Sequence, residues 1–263
     1  MSQNSADNQA PRFKKPRLKQ RIDWGYVVGL PLWVAASFVT ANVIVVVGLL
    51  LLKITVKYTP LDTDPVFNTV LAAIVYSLTL ALVIGVPWLL RRRRITSLAD
   101  IGLARLPRWM DILLAPAGAI IYLLLSGILI TIFGMVFPQI DLQQAQEIGF
   151  RNLAEYSQYL LAFITLVVVA PIAEEVLFRG YLYGKLRKHA PLWLAILITS
   201  GLFGLAHGQW NVAIDTFALS VIMCSLREVT GSIWAGVLLH MMKNGLAFYL
   251  LFINPSLLST LGG

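Results

Sequence analysis

Five side chains in the second half of the chain could together hydrolyse a peptide bond. They are two carboxylates, two imidazoles and one amide: Glu174, Glu175, His207, His240 and Asn244. A carboxylate and an imidazole within hydrogen-bond reach can share the role of general base and activate a water molecule. A second imidazole and an amide can donate hydrogen bonds to the oxyanion that forms when water attacks a carbonyl carbon. These residue types therefore predict amide hydrolysis.

A metal site is the alternative use of the same side chains. Glu174, His207 and His240 form a set of two imidazoles and one carboxylate, which would leave a fourth position on Zn²⁺ for water. Such a metal would activate the water and polarise the substrate carbonyl. The HExxH pattern of zincin proteases is absent from the sequence. The residue types leave both arrangements open, so Zn²⁺ is a candidate cofactor and a metal-free site is also possible.

The spacing of these residues predicts that helices position them. Three pairs are separated by four residues, which places both members on one helix face: Glu175 with Arg179, Phe203 with His207, and His240 with Asn244. We expect Arg179 to neutralise Glu175 in a structural ion pair and Phe203 to contribute packing. Glu174 points about 100° away from Glu175 around the helix, so it is free to act as the base.

The composition is that of a protein that crosses a membrane several times. Hydrophobic residues make up 58% of the 263 residues, whereas charged residues make up 13%, against about 25% in soluble domains. This excludes a soluble globular enzyme, a disordered chain, a coiled coil and a fibrous protein. The single cysteine, Cys224, excludes an internal disulfide and a cysteine-based metal site. Ionisable groups inside apolar segments are costly, so here they indicate function.

The apolar segments predict an all-α transmembrane bundle of about seven spans, with the candidate catalytic residues on the last four. The predicted spans are residues 24–52, 66–90, 111–137, 157–184, 191–208, 212–225 and 232–253. Residues 101–109 and 141–156 are predicted to lie at the membrane surface. At about 1.5 Å per residue, the predicted depth of the site residues is roughly 12–24 Å, near the membrane midplane. The difference of about 12 Å between His207 and His240 favours the metal-free arrangement.

The basic residues predict the orientation and the organisation of the chain. With the N terminus in the cytoplasm, 17 of the 21 basic residues fall on the cytoplasmic side, and the C terminus lies outside. Residues 1–23 are predicted to be a basic, disordered cytoplasmic tail next to anionic lipid, with no nucleic-acid partner expected. Residues 24–156 form the N-terminal spans with their interfacial segments, 157–253 the catalytic bundle, and 254–263 a short C-terminal tail.

Three motifs occur in a fixed order on hydrophobic helices: Glu-Glu-x-x-x-Arg at 174–179, Phe-x-x-x-His at 203–207, and His-x-x-x-Asn at 240–244. They resemble the motifs of the CPBP family, the CAAX protease and bacteriocin-processing (Abi) proteins. This family of intramembrane endopeptidases includes the Rce1-type prenyl proteases. The stretch at 230–234 is also similar, and the resemblance covers roughly residues 157–250, leaving the first three spans as the variable part.

The resemblance assigns a role to each motif. It implies that Glu174 and His207 activate water and that His240 and Asn244 stabilise the oxyanion. Members of the family are often described as metalloproteases, which keeps open a zinc ion held by Glu174, His207 and His240. Lys243 lies between the last two residues but is not part of the motif, and the resemblance implies no role for it.

We therefore expect a CAAX protease-like intramembrane endopeptidase in a prokaryotic plasma membrane. Its substrate would be a membrane-associated peptide or protein, and peptide maturation, bacteriocin immunity and membrane-protein processing are all open. One alternative is a transporter or channel with a Glu/His proton relay, but the charges cluster in one half of the chain and no second half mirrors them. The other alternative is a non-catalytic peptide-binding protein, against which the complete set of candidate residues argues.

Overall fold

The computed structural model describes residues 21–56, 65–91, 96–142, 153 and 155–257. Within these ranges the chain forms seven helices of 14 residues or more and no strand. They are α1 (Trp24–Val56), α2 (Pro65–Arg91), α3 (Trp109–Val136), α4 (Tyr156–His189), α5 (Leu192–Leu205), α6 (Trp210–Thr230) and α7 (Trp234–Ile253). The predicted all-α fold class is confirmed.

Five of these helices, α1, α2, α3, α4 and α7, are long and apolar enough to cross a membrane. Helix α5 has 14 residues, fewer than the roughly 17–25 that a span needs. Helix α6 has 21 residues, so it extends the predicted sixth segment, 212–225, at both ends. The chain is thus an integral membrane protein with several spans, whereas the count of seven stays a prediction.

The connection between α2 and α3 is packed into the bundle. Residues 101–109 were expected at the membrane surface, but Ile101 is buried and the Gly102 carbonyl accepts hydrogen bonds from Ser232 Oγ (3.0 Å) and the Ile233 N–H (3.3 Å). The backbone of Ile101 also packs on Gly180, where a Cβ atom would lie 2.8 Å from the Ile101 carbonyl oxygen. This connection is therefore packed against α4 and the start of α7.

Several predictions fall on residues outside the described ranges. Most of the predicted interfacial segment 141–156, nearly all of the basic tail 1–23 and the end of the C-terminal tail 254–263 belong to this group. The division into an N-terminal part and a catalytic bundle likewise stays a prediction.

Helix α4 is not a regular α-helix. Two π-helical segments, Ile164–Val169 and Val176–Tyr183, flank the α-helical Ala170–Glu175. In the first of them the Ala170 N–H bonds to the Thr165 carbonyl, five residues back. Continuing this pattern would pair the Leu166 carbonyl with the N–H of residue 171, which is a proline and has none. The sequence of α4 therefore leaves a backbone acceptor open beside the site.

The centre of the bundle surrounds the second half of α4. Leu177, Leu182, Leu219 and Leu239 are all but completely buried between α4, α6 and α7. On the outside, by contrast, large apolar side chains such as Leu113 of α3 are exposed. An apolar exterior of this kind is suited to lipid, because lipid chains can cover it without the cost of contact with water.

Candidate active site

Four of the five predicted catalytic residues come together around one cavity of about 310 Å³, and Glu175 does not line it. Helix α2 contributes Tyr76, α4 contributes Glu174, the turn after α5 contributes His207, and α7 contributes His240, Lys243 and Asn244. The remaining wall is mostly apolar and includes Ala170 and Phe248. Four side chains selected from the sequence thus face the same space, although they are spread over 71 positions of the chain.

Glu174 is held from two sides. The Tyr76 hydroxyl donates a hydrogen bond to Oε1, and His240 Nε2 lies 3.8 Å from Oε2. Only 8% of Glu174 is exposed, and the residue lines the cavity. Tyr76 therefore positions the carboxylate through Oε1, while Oε2 lies next to His240.

Glu175 lies behind His240 and does not line the cavity. Its carboxylate forms an ion pair of 2.8 Å with Arg179, and both side chains are completely buried. Glu175 Oε1 is also 3.4 Å from His240 Nδ1. Helix α7 approaches so closely that a Cβ atom on Gly236 would lie 2.8 Å from Glu175 Oε2. The pair thus neutralises two charges in the core, as expected, and Glu175 contacts the ring of His240.

Phe203 packs at the centre of the site. The Arg179 guanidinium lies over its ring at 4.2 Å from the centroid, a distance typical of a cation–π contact. The His207 and His240 rings meet it edge to face, with centroids at 5.0 and 5.9 Å. Phe203 is 1% exposed and fills the space between the guanidinium and the two imidazoles.

His207 follows the C-terminal end of α5 in a short turn. Its Nδ1 is 2.8 Å from the Phe203 carbonyl, so we assign the proton to Nδ1, which donates to that carbonyl and leaves Nε2 as an acceptor. The next residue, Gly208, has φ +74°, a conformation that favours glycine. The turn therefore presents the imidazole to the cavity in one tautomer.

Asn244 satisfies the open acceptor of α4. Its amide nitrogen donates a hydrogen bond of 2.9 Å to the Leu166 carbonyl, the one that Pro171 cannot pair. A carboxamide has two N–H donors, so the second remains available. The irregularity in α4 thus fixes the orientation of an amide that comes from a different helix.

A second, apolar cavity of about 270 Å³ meets the first. It lies between α1, α4 and α5 and includes Val34 and Phe38 of α1. Tyr76, Glu174 and His207 line both cavities. These three side chains therefore lie between an apolar cavity and the cavity that contains His240 and Asn244.

Sequence reasoning missed two features of the site, Tyr76 and the surroundings of Asp215. Asp215 accepts hydrogen bonds from Tyr122 (2.6 Å) and Ser126 (2.7 Å) of α3. It also lies 3.5 Å from Lys243 Nζ. The signal that could have indicated this is the lysine in α7, which needs an acidic partner inside the bundle.

The three residues of the predicted zinc set have suitable donor chemistry. Among the residues the structure describes, however, no group of three or more His, Cys, Asp or Glu side chains is arranged to hold a metal ion. Glu174, His207 and His240 share the cavity without forming such a group. Zinc binding stays a prediction, and no catalytic step is derived through a metal.

Known proteins resemble this chain in the same region. Residues 156–246 match the family model described as type II CAAX prenyl endopeptidase Rce1-like. A protein of Escherichia coli named "Uncharacterized 24.3 kDa protein" is 36% identical over 87 residues, 31% of this chain and 40% of that protein. "Putative membrane peptidase YdiL" of Bacillus subtilis (strain 168) is 29% identical over 143 residues, 51% of this chain and 54% of that protein.

The chain thus spans about half the length, or less, of these two curated relatives. No solved structure matches it. The matched segment contains Glu174, Glu175, His207, His240 and Asn244 but not Tyr76. The resemblance to Rce1-like endopeptidases that the three motifs predicted is confirmed by the match over residues 156–246.

Proposed function

We propose that this protein is an intramembrane endopeptidase that hydrolyses a peptide bond of a membrane-associated peptide or protein. The observation that carries the proposal is the convergence of Glu174, His207, His240 and Asn244 on one cavity inside an apolar helix bundle. The match to Rce1-like endopeptidases and the similarity to a protein named as a membrane peptidase support it.

In the first step, Glu174 and His207 hold a water molecule between them. The hydrogen bond from Tyr76 occupies Glu174 Oε1, so Oε2 is the atom that accepts a proton from the water. As it does so, the oxygen of the water attacks the carbonyl carbon of the substrate. His207 Nε2 accepts the second hydrogen bond of the water, because Nδ1 is committed to the Phe203 carbonyl. Such a positioned general base contributes about 10²–10⁴-fold in rate.

In the second step, the oxyanion collapses and the bond between the carbonyl carbon and the amide nitrogen breaks. His240 and the second N–H of Asn244 stabilise the negative charge on the carbonyl oxygen before this happens. The proton held by Glu174 passes to the leaving nitrogen, which departs as a neutral amine. The apolar walls of the two cavities exclude bulk water, which strengthens these electrostatic interactions.

We also propose that the protein lies in a prokaryotic plasma membrane with its N terminus in the cytoplasm. The distribution of basic residues supports this orientation, and both similar proteins come from bacteria. A reporter fused to the N terminus should therefore read cytoplasmic and one fused to the C terminus should read outside. Both reporters on the same side would contradict the odd number of spans.

The proposed activity can be tested in cells by comparing membrane-associated peptides. Cells that produce the wild-type protein should contain peptide ends, detected by mass spectrometry, that are missing in cells producing Glu174→Ala. Glu155→Ala is the matched control, because Glu155 is an exposed glutamate at the start of α4. Identical peptide ends in wild-type and Glu174→Ala cells, at equal amounts of protein in the membrane, would overturn the proposal.

A further inference from the structure

Lys243 places a positive charge at the wall of the cavity, and the proposed reaction does not use it. Its side chain lines the same cavity as Glu174 and Asn244 and is 21% exposed. It follows His240 by three residues, which puts both on one face of α7. A lysine inside a transmembrane bundle is energetically costly, so a specific partner for its charge is expected.

Asp215 only partly fills that need. The distance between Asp215 Oδ2 and Lys243 Nζ is 3.5 Å, whereas a charge-assisted hydrogen bond is about 2.7–2.9 Å long. Asp215 Oδ1 already accepts hydrogen bonds from Tyr122 and Ser126, at 2.6 and 2.7 Å. Helix α3 therefore holds the aspartate at a distance from the lysine.

The ammonium group consequently has unused donors. It carries three N–H groups, and within the described part of the chain Asp215 is the only ion-pair partner found for it. The other carboxylate that lines the cavity, Glu174, forms no ion pair with Lys243 in the described part of the chain. It accepts a hydrogen bond from Tyr76 and lies next to His240 instead. An incoming anion that reaches Lys243 would complete its coordination.

We propose that Lys243 binds a carboxylate of the substrate peptide and thereby selects where the chain is cut. The carboxylate is either the free C-terminal group or the side chain of an Asp or Glu close to the scissile bond. Because Lys243 and Glu174 line one cavity of about 310 Å³, only a few residues separate the bound carboxylate from the attacked carbonyl. This inference rests on the proposed function.

The test begins with a mixture of synthetic apolar peptides incubated with the purified full-length protein in lipid vesicles. Peptides cleaved by the wild type but not by Glu174→Gln supply the substrates. Each is then made in paired forms: with a free C-terminal carboxylate or an amide, and with Glu or Gln next to the cut. The wild type should prefer one carboxylate form over its neutral counterpart by at least about 10-fold in kcat/KM, mainly through KM.

Variants then assign the preference to the lysine. Lys243→Met should reduce the ratio between the carboxylate and neutral forms to about one, and Lys243→Arg should retain most of it. Lys53→Met, which removes an exposed lysine of α1, is the matched control and should keep the wild-type ratio. Asp215→Asn should increase the ratio, because it removes the anion that competes for the lysine. This variant tests the proposal even if Lys243→Met does not fold.

The outcomes distinguish a failure of the proposed endopeptidase activity from a failure of carboxylate binding by Lys243. Absence of any Glu174-dependent cleavage overturns the proposed function and this inference with it. Cleavage in which carboxylate and neutral peptides react equally, or in which Asp215→Asn lowers the ratio, overturns the inference alone. A preference in the C-terminal pair identifies the terminal group as the ligand, and a preference in the Glu/Gln pair identifies a side chain.

Discussion

The Tyr76 hydroxyl donates a hydrogen bond to Glu174 Oε1 and thereby connects helix α2 to the proposed base. Tyr76 precedes the segment that matches the endopeptidase family, 156–246. The N-terminal half of the chain therefore contributes directly to the site, besides providing membrane spans.

The first prediction concerns this bond. Tyr76→Phe keeps the ring but removes the donor, so Glu174 loses the contact that fixes Oε1. A hydrogen bond to a charged group contributes about 1.5–3 kcal/mol, so we expect kcat to fall by about 10- to 100-fold with little change in KM. Tyr156→Phe, at the exposed start of α4, is the control. An unchanged kcat in Tyr76→Phe would show that the bond does not position the base.

The sequence was sufficient to predict the residues that stand out chemically. They are polar groups in apolar segments: Glu174, His207, His240 and Asn244. Burying such groups in a membrane costs free energy, so their presence there indicates a functional role. Tyr76 carries no such signal, because a tyrosine is an ordinary residue of a membrane helix. The contact between its hydroxyl and Glu174 depends on how α2 packs against α4, which spacing along one helix does not predict.

The membrane depths estimated from the sequence were a poor guide to which side chains meet. The estimate assumed straight helices with a constant rise, whereas α4 contains two π-helical segments and α5 ends at Leu205, before His207. The imidazole of His207 therefore lies on a turn and reaches the same cavity as His240 despite the difference of about 12 Å in estimated depth. Pro171 was visible in the sequence, but its effect on the Leu166 carbonyl required the structure.

The second prediction concerns the close approach of α7 to Glu175. Gly236→Ala introduces a Cβ atom 2.8 Å from Glu175 Oε2, so the buried carboxylate must move, and His240 with it. Overpacking of this kind costs about 1–3 kcal/mol, and we expect a lower unfolding temperature together with reduced turnover. In Gly245→Ala, on the same helix, the Cβ atom meets Val167 at an ordinary 3.6 Å and should be tolerated. Equal behaviour of the two variants would refute the steric argument.

The third prediction tests the connection between Pro171 and Asn244. Pro171→Ala supplies an N–H for the Leu166 carbonyl and so competes with the Asn244 amide. One neutral hydrogen bond contributes about 0.5–1.5 kcal/mol, so kcat should fall by about 2- to 10-fold. In an Asn244→Ala background the same change should have no further effect. Pro116→Ala, a proline inside α3, is the control; an identical loss in both backgrounds would mean that the two residues act independently.

The fourth prediction separates a metal-free site from a zinc site. If Asn244 donates to the oxyanion, Asn244→Ala should lower kcat by about 10²–10³-fold, the typical loss for one such donor. Chelators should leave the activity of the wild type unchanged, and elemental analysis should find no stoichiometric metal. About one zinc ion per active chain, lost together with activity on chelation and absent from His240→Ala, would establish the metal arrangement instead.

The most direct test of the central claim is the turnover of Glu174→Gln in lipid vesicles, with a peptide that the wild type cleaves as substrate. The glutamine keeps the shape of the side chain and its contact with Tyr76 but cannot accept the proton from water. We expect a loss of at least about 10²-fold in kcat, with normal accumulation in the membrane and with Glu155→Gln equal to the wild type. Turnover of Glu174→Gln within about ten-fold of the wild type would contradict the assignment of Glu174 as the base.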